Sequence, residues 1–525
     1  MQTTPETKYT SLAQLAEQIY QEIARQFPVC CASDEFYYFP QVITNDKHRW
    51  GWDDFSGEAI EQFVNKALHW RTDLEQLRSK PVSAADKVDA ELLLEMLQTL
   101  SEQLAEVAPH SCQPTFHLSI VVAGLSEAMD SGEPAALRER IAGLPAFLQR
   151  AGEMLSEVPE QFRLLGLNML VDLSRWLKDL VGTGIQNKNI ERALSNFSVA
   201  LHKCPTRESF SLPIELFERL LSTHLGCDCT LDSVEHELRS EYAEMDKILT
   251  AEAEQLVPGL AWQKSEFRIP FQIAPENNLQ QLYRPELLRL EKHARNAGLT
   301  PPQAGRLQPE LAAVPASMSA IRASDAYSAR VGHPASGGVF YLYDHGKDRA
   351  GQVGRTLEYR MTAAHEAWPG HHLLDVCRWN QAREIRRPLE RPLFYEGWAC
   401  FAEQLMAITG YFDGPWDRFL LARRRIERAA RGLVDIGLQC GRLTLEEAAE
   451  LLVQVGYAPQ KAAEVVPKYA LRPGYQVCYT LGLRRMLELR AHCGEMAIEE
   501  FTQQVLSQGE IGFTPLQQVL LNKGD

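Results

Sequence analysis

The sequence predicts an all-α protein, mainly helical, with one short β element beside its chemically active segment, and three observations lead there. Apolar residues recur three and four apart through most of the chain, the spacing of one buried helix face. Those segments are rich in Leu, Ala, Glu, Gln and Arg, which favour helix. A single short stretch, Val339 to Tyr343 behind a Gly-Gly turn, alternates in the manner of a strand instead. It lies within Ser336–Asp344, SGGVFYLYD.

The first half reads as successive amphipathic helices. Ala85–Leu104 and Leu137–Leu155 are clear examples, and Leu231–Leu256 is a long one whose start Thr230 or Asp232 can cap. Prolines and glycines crowd Gly298–Ser317, GLTPPQAGRLQPELAAVPAS, and break helical continuation there. The expected organisation is therefore an N-terminal helical region, 1–297, and a C-terminal helical region, 298–525, carrying the chemistry, the two packed as one intertwined unit. Helical patterning resumes at Thr356 and is interrupted near Pro369, Pro392, Pro415, Gly456 and Pro473.

Composition limits the function classes. The chain has 525 residues, 45% hydrophobic and 23% charged, the balance of an ordinary folded protein. Its formal net charge of -15 argues against nonspecific attraction to nucleic acid or an anionic membrane. The N-terminus, MQTTPETKYTSLAQLAEQ, has no basic start followed by an apolar run, and no stretch reaches the roughly 18 apolar residues of a membrane helix. Eleven scattered cysteines without paired spacing read as free thiols, and these features together lead to the expectation of a cytoplasmic protein.

The chemistry concentrates in Thr362–Asp375, TAAHEAWPGHHLLD. A zinc hydrolase needs imidazole or carboxylate ligands, an open coordination position for water, and a carboxylate beside that water. The familiar arrangement is HExxH on a helix, two histidines four residues apart. Here His365 and Glu366 are followed by His371 and His372 instead. On an unbroken helix His371 would lie roughly 120° around the axis from His365, and His372 about 10 Å along it. Pro369 cannot donate to the carbonyl of His365 and Gly370 tolerates unusual dihedrals, so the Pro-Gly pair reads as a bulge that restores a His365–His371 pairing. His372 is the alternative ligand. The third ligand is expected from Leu393–Leu405, LFYEGWACFAEQL, at Glu396, with Glu403 two turns later as a supporting carboxylate. Asp375, four residues after His371, is a candidate to hold that imidazole's other nitrogen. The aromatic strand upstream offers an edge on which an extended peptide can lie.

HEAWPGHH followed by YEGWACFAEQL resembles the family known as domain of unknown function 885, whose members are regarded as metallopeptidase-like. The resemblance extends to RIAGLPAFLQRAGEML in the first half and to RRRIERAARGLVDIGL and RPGYQVCYTLGLRRMLELR near the end. It implies a gluzincin-like helical architecture with a central channel or cleft, and it supports Glu396 as third zinc ligand. Gln439 and Leu374 depart from the family, which often has histidine and glutamine at these places. The mechanism that follows has Zn2+ as cofactor, Glu366 as general base, and a short peptide or small amide as substrate. Arg472, Tyr475 and Tyr479, in ALRPGYQVCYTLG, are candidate donors to the oxyanion, and Arg472 is alternatively a partner for a substrate's terminal carboxylate.

Blander readings stand beside these. Glu403 and Asp375 also suit salt-bridged surface carboxylates, Tyr475 and Tyr479 plain core aromatics, and Cys400 packing. The basic run Arg423–Arg431, RRRIERAAR, reads as a solvated helix face. Two histidines and a carboxylate also describe a non-haem iron oxygenase. The same scaffold would serve a biosynthetic amide or ester hydrolase, or a helical binding protein without catalysis.

Overall fold

The structure is a computed structural model describing residues 11–79, 83–181, 185–227, 229–265, 279–318, 321–322, 324–332, 337–343 and 349–521. It is mainly helical, as expected. α1 (Leu12–Gln26) opens on Ser11, whose hydroxyl accepts from the Gln14 amide. α2 (Ala84–Glu102) covers most of the helix expected at Ala85–Leu104, but the chain then widens into a π-turn over Gln103–Val107. α3 (Pro134–Met154) accommodates Pro145 in its interior. α4 (Leu231–Leu256) has the bounds read from the sequence, and Thr230 caps it by accepting from the Ser233 amide at 3.3 Å.

The later prolines punctuate the chain as read. α5 (Arg349–Glu366) ends three residues before Pro369, and α6 (His371–Trp379) starts after Gly370. Pro392 and Pro415 occupy the first positions of α7 (Pro392–Ile408) and α8 (Pro415–Gln439), where a missing N–H costs nothing. α9 (Val477–His492) follows Pro473.

Among the described residues, two small sheets accompany the helices. β1 (Val158–Pro159) and β2 (Thr206–Arg207) form a parallel pair. The second sheet has the order β3-β5-β4, from β3 (Glu310–Ala313), β4 (Ala326–Ala329) and β5 (Gly338–Leu342). β5 is the strand read from its alternation; Ser336 and Asp344, at the ends of that reading, lie outside the described residues. The edge expected of it is corrected: β5 pairs with β3 on one side and β4 on the other, so the edges belong to those two strands. β3 was hidden within the Pro/Gly-rich Gly298–Ser317 stretch, because four residues between prolines carry too little alternation to declare a strand.

One apolar core runs from Leu15 on α1 to Leu520 near the end of the chain. Its tightest junction is between α7 and α9. A Cβ at Gly482 would stand 2.2 Å from the Leu393 carbonyl oxygen, and one at Gly397 2.5 Å from the Gly482 carbonyl carbon. The two helices thus touch backbone to backbone, which fixes Glu396 on one against Tyr479 in the first turn of the other and Tyr475 just before it. Gly482→Ala is expected to force the helices apart and destabilise the protein by about 1–3 kcal/mol, the usual range for overpacking. A lowered denaturant midpoint measures it; an unchanged midpoint contradicts the close approach.

Candidate metal centre

His365 sits in the last turn of α5. Beyond Glu366 the helix does not bulge but ends: the Trp368–Pro369 peptide is cis, and the Gly370 amide donates back to the Ala364 carbonyl at 2.9 Å. A Cβ at Gly370 would fall 1.8 Å from the His365 carbonyl oxygen, so only glycine permits this return. Trp398 on α7 holds the loop by donating its indole N–H to the Pro369 carbonyl at 3.0 Å. A new helix then begins at His371, with an axis of its own, and the 100°-per-residue rule no longer separates the two imidazoles.

The ligating atoms of His365, His371 and Glu396 lie within 4.8 Å of one another, all buried. Glu396 Oε2 stands 3.5 Å from His365 Nε2 and 3.5 Å from His371 Nε2. That separation is long for an N–H···O hydrogen bond. It matches the edge of about 3.4 Å of a tetrahedron whose bonds are about 2.0–2.1 Å. Glu396 Oε2 is buried without a hydrogen-bond partner, while Oε1 accepts from the Tyr475 hydroxyl at 2.9 Å. A carboxylate oxygen left bare between two imidazole nitrogens makes a donor set that fits a divalent cation.

Surrounding groups orient the cluster. His365 Nδ1 lies 2.9 Å from Glu403 Oε1 and 3.2 Å from Arg428 Nη2; in the tautomer that donates Nδ1–H to Glu403, Nε2 keeps a lone pair for the cluster. Glu403 is itself clamped: Arg424 donates from Nε and Nη2 at 2.9 and 3.0 Å, and Arg428 from Nη1 and Nη2 at 3.1 and 2.6 Å. Burial would raise the Glu403 carboxyl, but these two guanidiniums and His365 hold it well below the usual carboxylate range. Burial likewise opposes ionisation of Glu396, and the two histidines outweigh it and bring the carboxyl down. The Tyr395 ring stacks on His371 at 4.0 Å. Glu366 accepts from the Tyr327 amide on β4 at 2.8 Å through Oε2. Burial raises its carboxyl above the ordinary value despite the neighbouring histidines.

The sequence-predicted residues largely meet. His365, Glu366, His371 and Glu396 line one cavity of about 540 Å³, together with Arg472, Tyr475 and Tyr479. The Tyr479 ring lies 6.4 Å from the His365 ring and nearly parallel to it. Arg472 is in the cavity wall but donates to Glu35 Oε1 at 2.7 Å. His372 is directed elsewhere: its Nε2 meets the Leu307 carbonyl at 2.6 Å. Asp375 does not support His371, whose Nδ1 has no partner. It pairs instead with Arg378, a fully buried guanidinium three residues on that requires a counter-charge. The solvated face expected for Arg423–Arg431 is also corrected, since Arg424 and Arg428 are turned inward onto Glu403. Their four-residue spacing, matched to a carboxylate on the preceding helix, was the signal for that role.

Asp435 on α8 was not singled out by the sequence. Its two oxygens accept from the Gly474 and Gln476 amides at 3.0 Å each, fixing the turn that presents Tyr475.

A model of the family described as "Bacterial protein of unknown function (DUF885)" matches residues 44–520. The chain belongs to this family. Two solved structures share the fold of this DUF885 protein over nearly their whole lengths. One is described as a candidate lipoprotein of unknown function from Shewanella oneidensis, with TM-score 0.76 and 14% identity, covering 98% of this chain and 100% of that one. The other is a candidate lipoprotein from Colwellia psychrerythraea, with TM-score 0.71 and 17% identity, covering 97% and 98%. No curated protein matches the chain. The expected cytoplasmic location is withdrawn, because both neighbours are described as candidate lipoproteins. The Met1–Gln18 composition on which it leaned carries no positive sign of a compartment.

Burial pushes the Asp435 carboxyl from 3.8 up to about 7, against its backbone hydrogen bonds. A raised folded value contributes stability that is complete below 3.8 and is lost as pH rises through about 7. The destabilisation caused by Asp435→Asn is therefore expected to be larger at pH 5 than at pH 8, measured by denaturant midpoints. A penalty that grows with pH contradicts this.

Proposed function

We propose that this protein is a metal-dependent hydrolase of the peptidase kind, cleaving short peptides, with Zn2+ held by His365, His371 and Glu396. The observation that carries the reading is the bare Glu396 Oε2 between two imidazole nitrogens, with a second carboxylate, Glu366, in the same cavity wall. A zinc ion held by these side chains supplies an acidified water and polarises a substrate carbonyl.

The chain's own groups do the rest. Glu366, fixed by the Tyr327 amide and with its carboxyl raised by burial, receives the proton of the attacking water and delivers it to the leaving amine. Glu403 steadies the His365 ring, and the Tyr475 hydroxyl steadies Glu396. Tyr475 and Tyr479 both interact with Glu396, and Tyr479, whose ring lies beside that of His365, is the donor placed for the developing oxyanion. A cavity of about 540 Å³ holds a few residues of extended peptide and excludes a folded protein. An oxygenase has no need of a base beside the first ligand, so Glu366 favours hydrolysis over iron chemistry. It equally disfavours a helical binding protein without catalysis.

Glu366→Gln keeps all three ligands. It is expected to retain the metal while hydrolysis of a short-peptide library falls by about 10²–10⁴-fold, the usual worth of a general base. Turnover at the wild-type rate removes Glu366 from the mechanism, and a wild-type protein that cleaves no peptide contradicts the peptidase reading.

A further inference from the structure

The cavity wall contains several cations, and their partners differ in a telling way. Arg322 and Arg472 share Glu35. Arg424 and Arg428 share Glu403. Arg423 meets Glu358 and Glu427, and Lys468 meets Glu464. Arg431 is the exception among the described residues lining the cavity. Its Nε and Nη2 both donate to one neutral oxygen, Gln476 Oε1, at 2.8 and 2.5 Å. No carboxylate pairs with it. Asp435, one turn further along α8, turns its oxygens to the Gly474 and Gln476 amides instead.

What surrounds Arg431 is aromatic. Its guanidinium lies 4.5 Å from the Tyr479 ring centroid and 5.6 Å from that of Tyr469. The rings hold the plane of the fork without neutralising it. A guanidinium held among aromatic rings, with no carboxylate in ion-pair contact among the described residues, is costly unless an anion arrives, and its planar fork suits a carboxylate. The position is also suggestive: Tyr479 is the ring that stacks beside His365, so a single aromatic ring separates the cation from the ligand cluster.

We infer that Arg431 is the receptor for a carboxylate of the substrate, held within one or two residues of the bond that is cut. This rests on the peptidase reading of the site and narrows it. A free C-terminal carboxylate in this seat makes the protein a trimmer of peptide C-termini; an acidic side chain there makes it selective for Asp or Glu near the cut. Two residues of extended chain span about 7 Å, a distance that one intervening ring allows.

The test measures binding rather than turnover, so it stands apart from the hydrolytic claim. Metal-loaded Glu366→Gln protein is titrated calorimetrically with a panel of N-acetylated di- and tripeptides. Each is prepared as free acid and as C-terminal amide, and some of the amides carry Asp or Glu. The acids are expected to bind about tenfold or more tightly than the neutral amides, as a charge-assisted pair implies. Adding Arg431→Met brings that ratio close to one, while Arg431→Lys keeps part of it. A preference shown instead by the Asp or Glu amides, and lost in Arg431→Met, supports the receptor and assigns it to a side chain. Should the Met variant not fold, the weakened preference of the Lys variant decides. Equal binding of the free acids, the neutral amides and the Asp or Glu amides, a preference that survives Arg431→Met or is full in Arg431→Lys, or no binding by any member overturns the inference. Metal-independent peptide cleavage by wild type alongside a lost preference in Arg431→Met would sink the zinc reading and leave this one standing.

Discussion

His371 lies six positions after His365, and a continuous helix would hold their side chains about 120° apart. The centre depends on breaking that helix. α5 stops after Glu366, the backbone turns back on itself at Gly370 with no room for a Cβ, and α6 begins at His371 with an axis of its own. The two imidazole rings end 4.8 Å apart and nearly perpendicular. Where HExxH uses the period of one helix to pair its histidines, this chain uses a hinge between two helices, and the hinge is pinned from outside by the Trp398 indole. Any side chain at position 370 would press into the His365 carbonyl, so ring placement and backbone path are one constraint.

The remaining parts of the site are held by a second constraint, the glycine-on-glycine crossing of α7 and α9. Glu396 lies one residue before Gly397, and Tyr475 and Tyr479 lie just ahead of Gly482, so close approach of the two backbones brings the Tyr475 hydroxyl onto Glu396 Oε1. Behind His365, two guanidiniums on α8 clamp one carboxylate on α7, and Arg424 also reaches Glu358 on α5. Such a buried cluster is poor value as stability against an apolar core of equal volume. Its use is positional, since it settles which nitrogen of His365 faces the other two ligands.

Much of this was legible in the chain. His365, Glu366, His371 and Glu396 follow from residue type and spacing, because ligand chemistry restricts the choice to few side chains and Pro-Gly announces a break. The helices follow from apolar periodicity, and Thr230 from capping chemistry. What was not legible depended on partners distant in sequence. Asp375 has the right offset for His371, yet Arg378, equally near in sequence and fully buried, takes it. The arginines of α8 look like a solvated face until the helix is seen to lie against Glu403. β5 reads correctly as a strand, but its place between β3 and β4 is a matter of pairing, which alternation within one strand cannot encode. Asp435 and Arg431 both hydrogen-bond to the Gly474–Gln476 turn, which only the folded chain brings near.

The central claim is that the hinge selects His371, and not its neighbour His372, to complete a cation site with His365 and Glu396. Zinc K-edge absorption on purified protein, with zinc content measured for His371→Ala and His372→Ala, tests it most directly. The account predicts one ion per chain bonded to nitrogen and oxygen at about 2.0–2.2 Å, lost in His371→Ala and kept in His372→Ala. A protein that binds no ion, or one that loses it with His372 and keeps it without His371, contradicts the account.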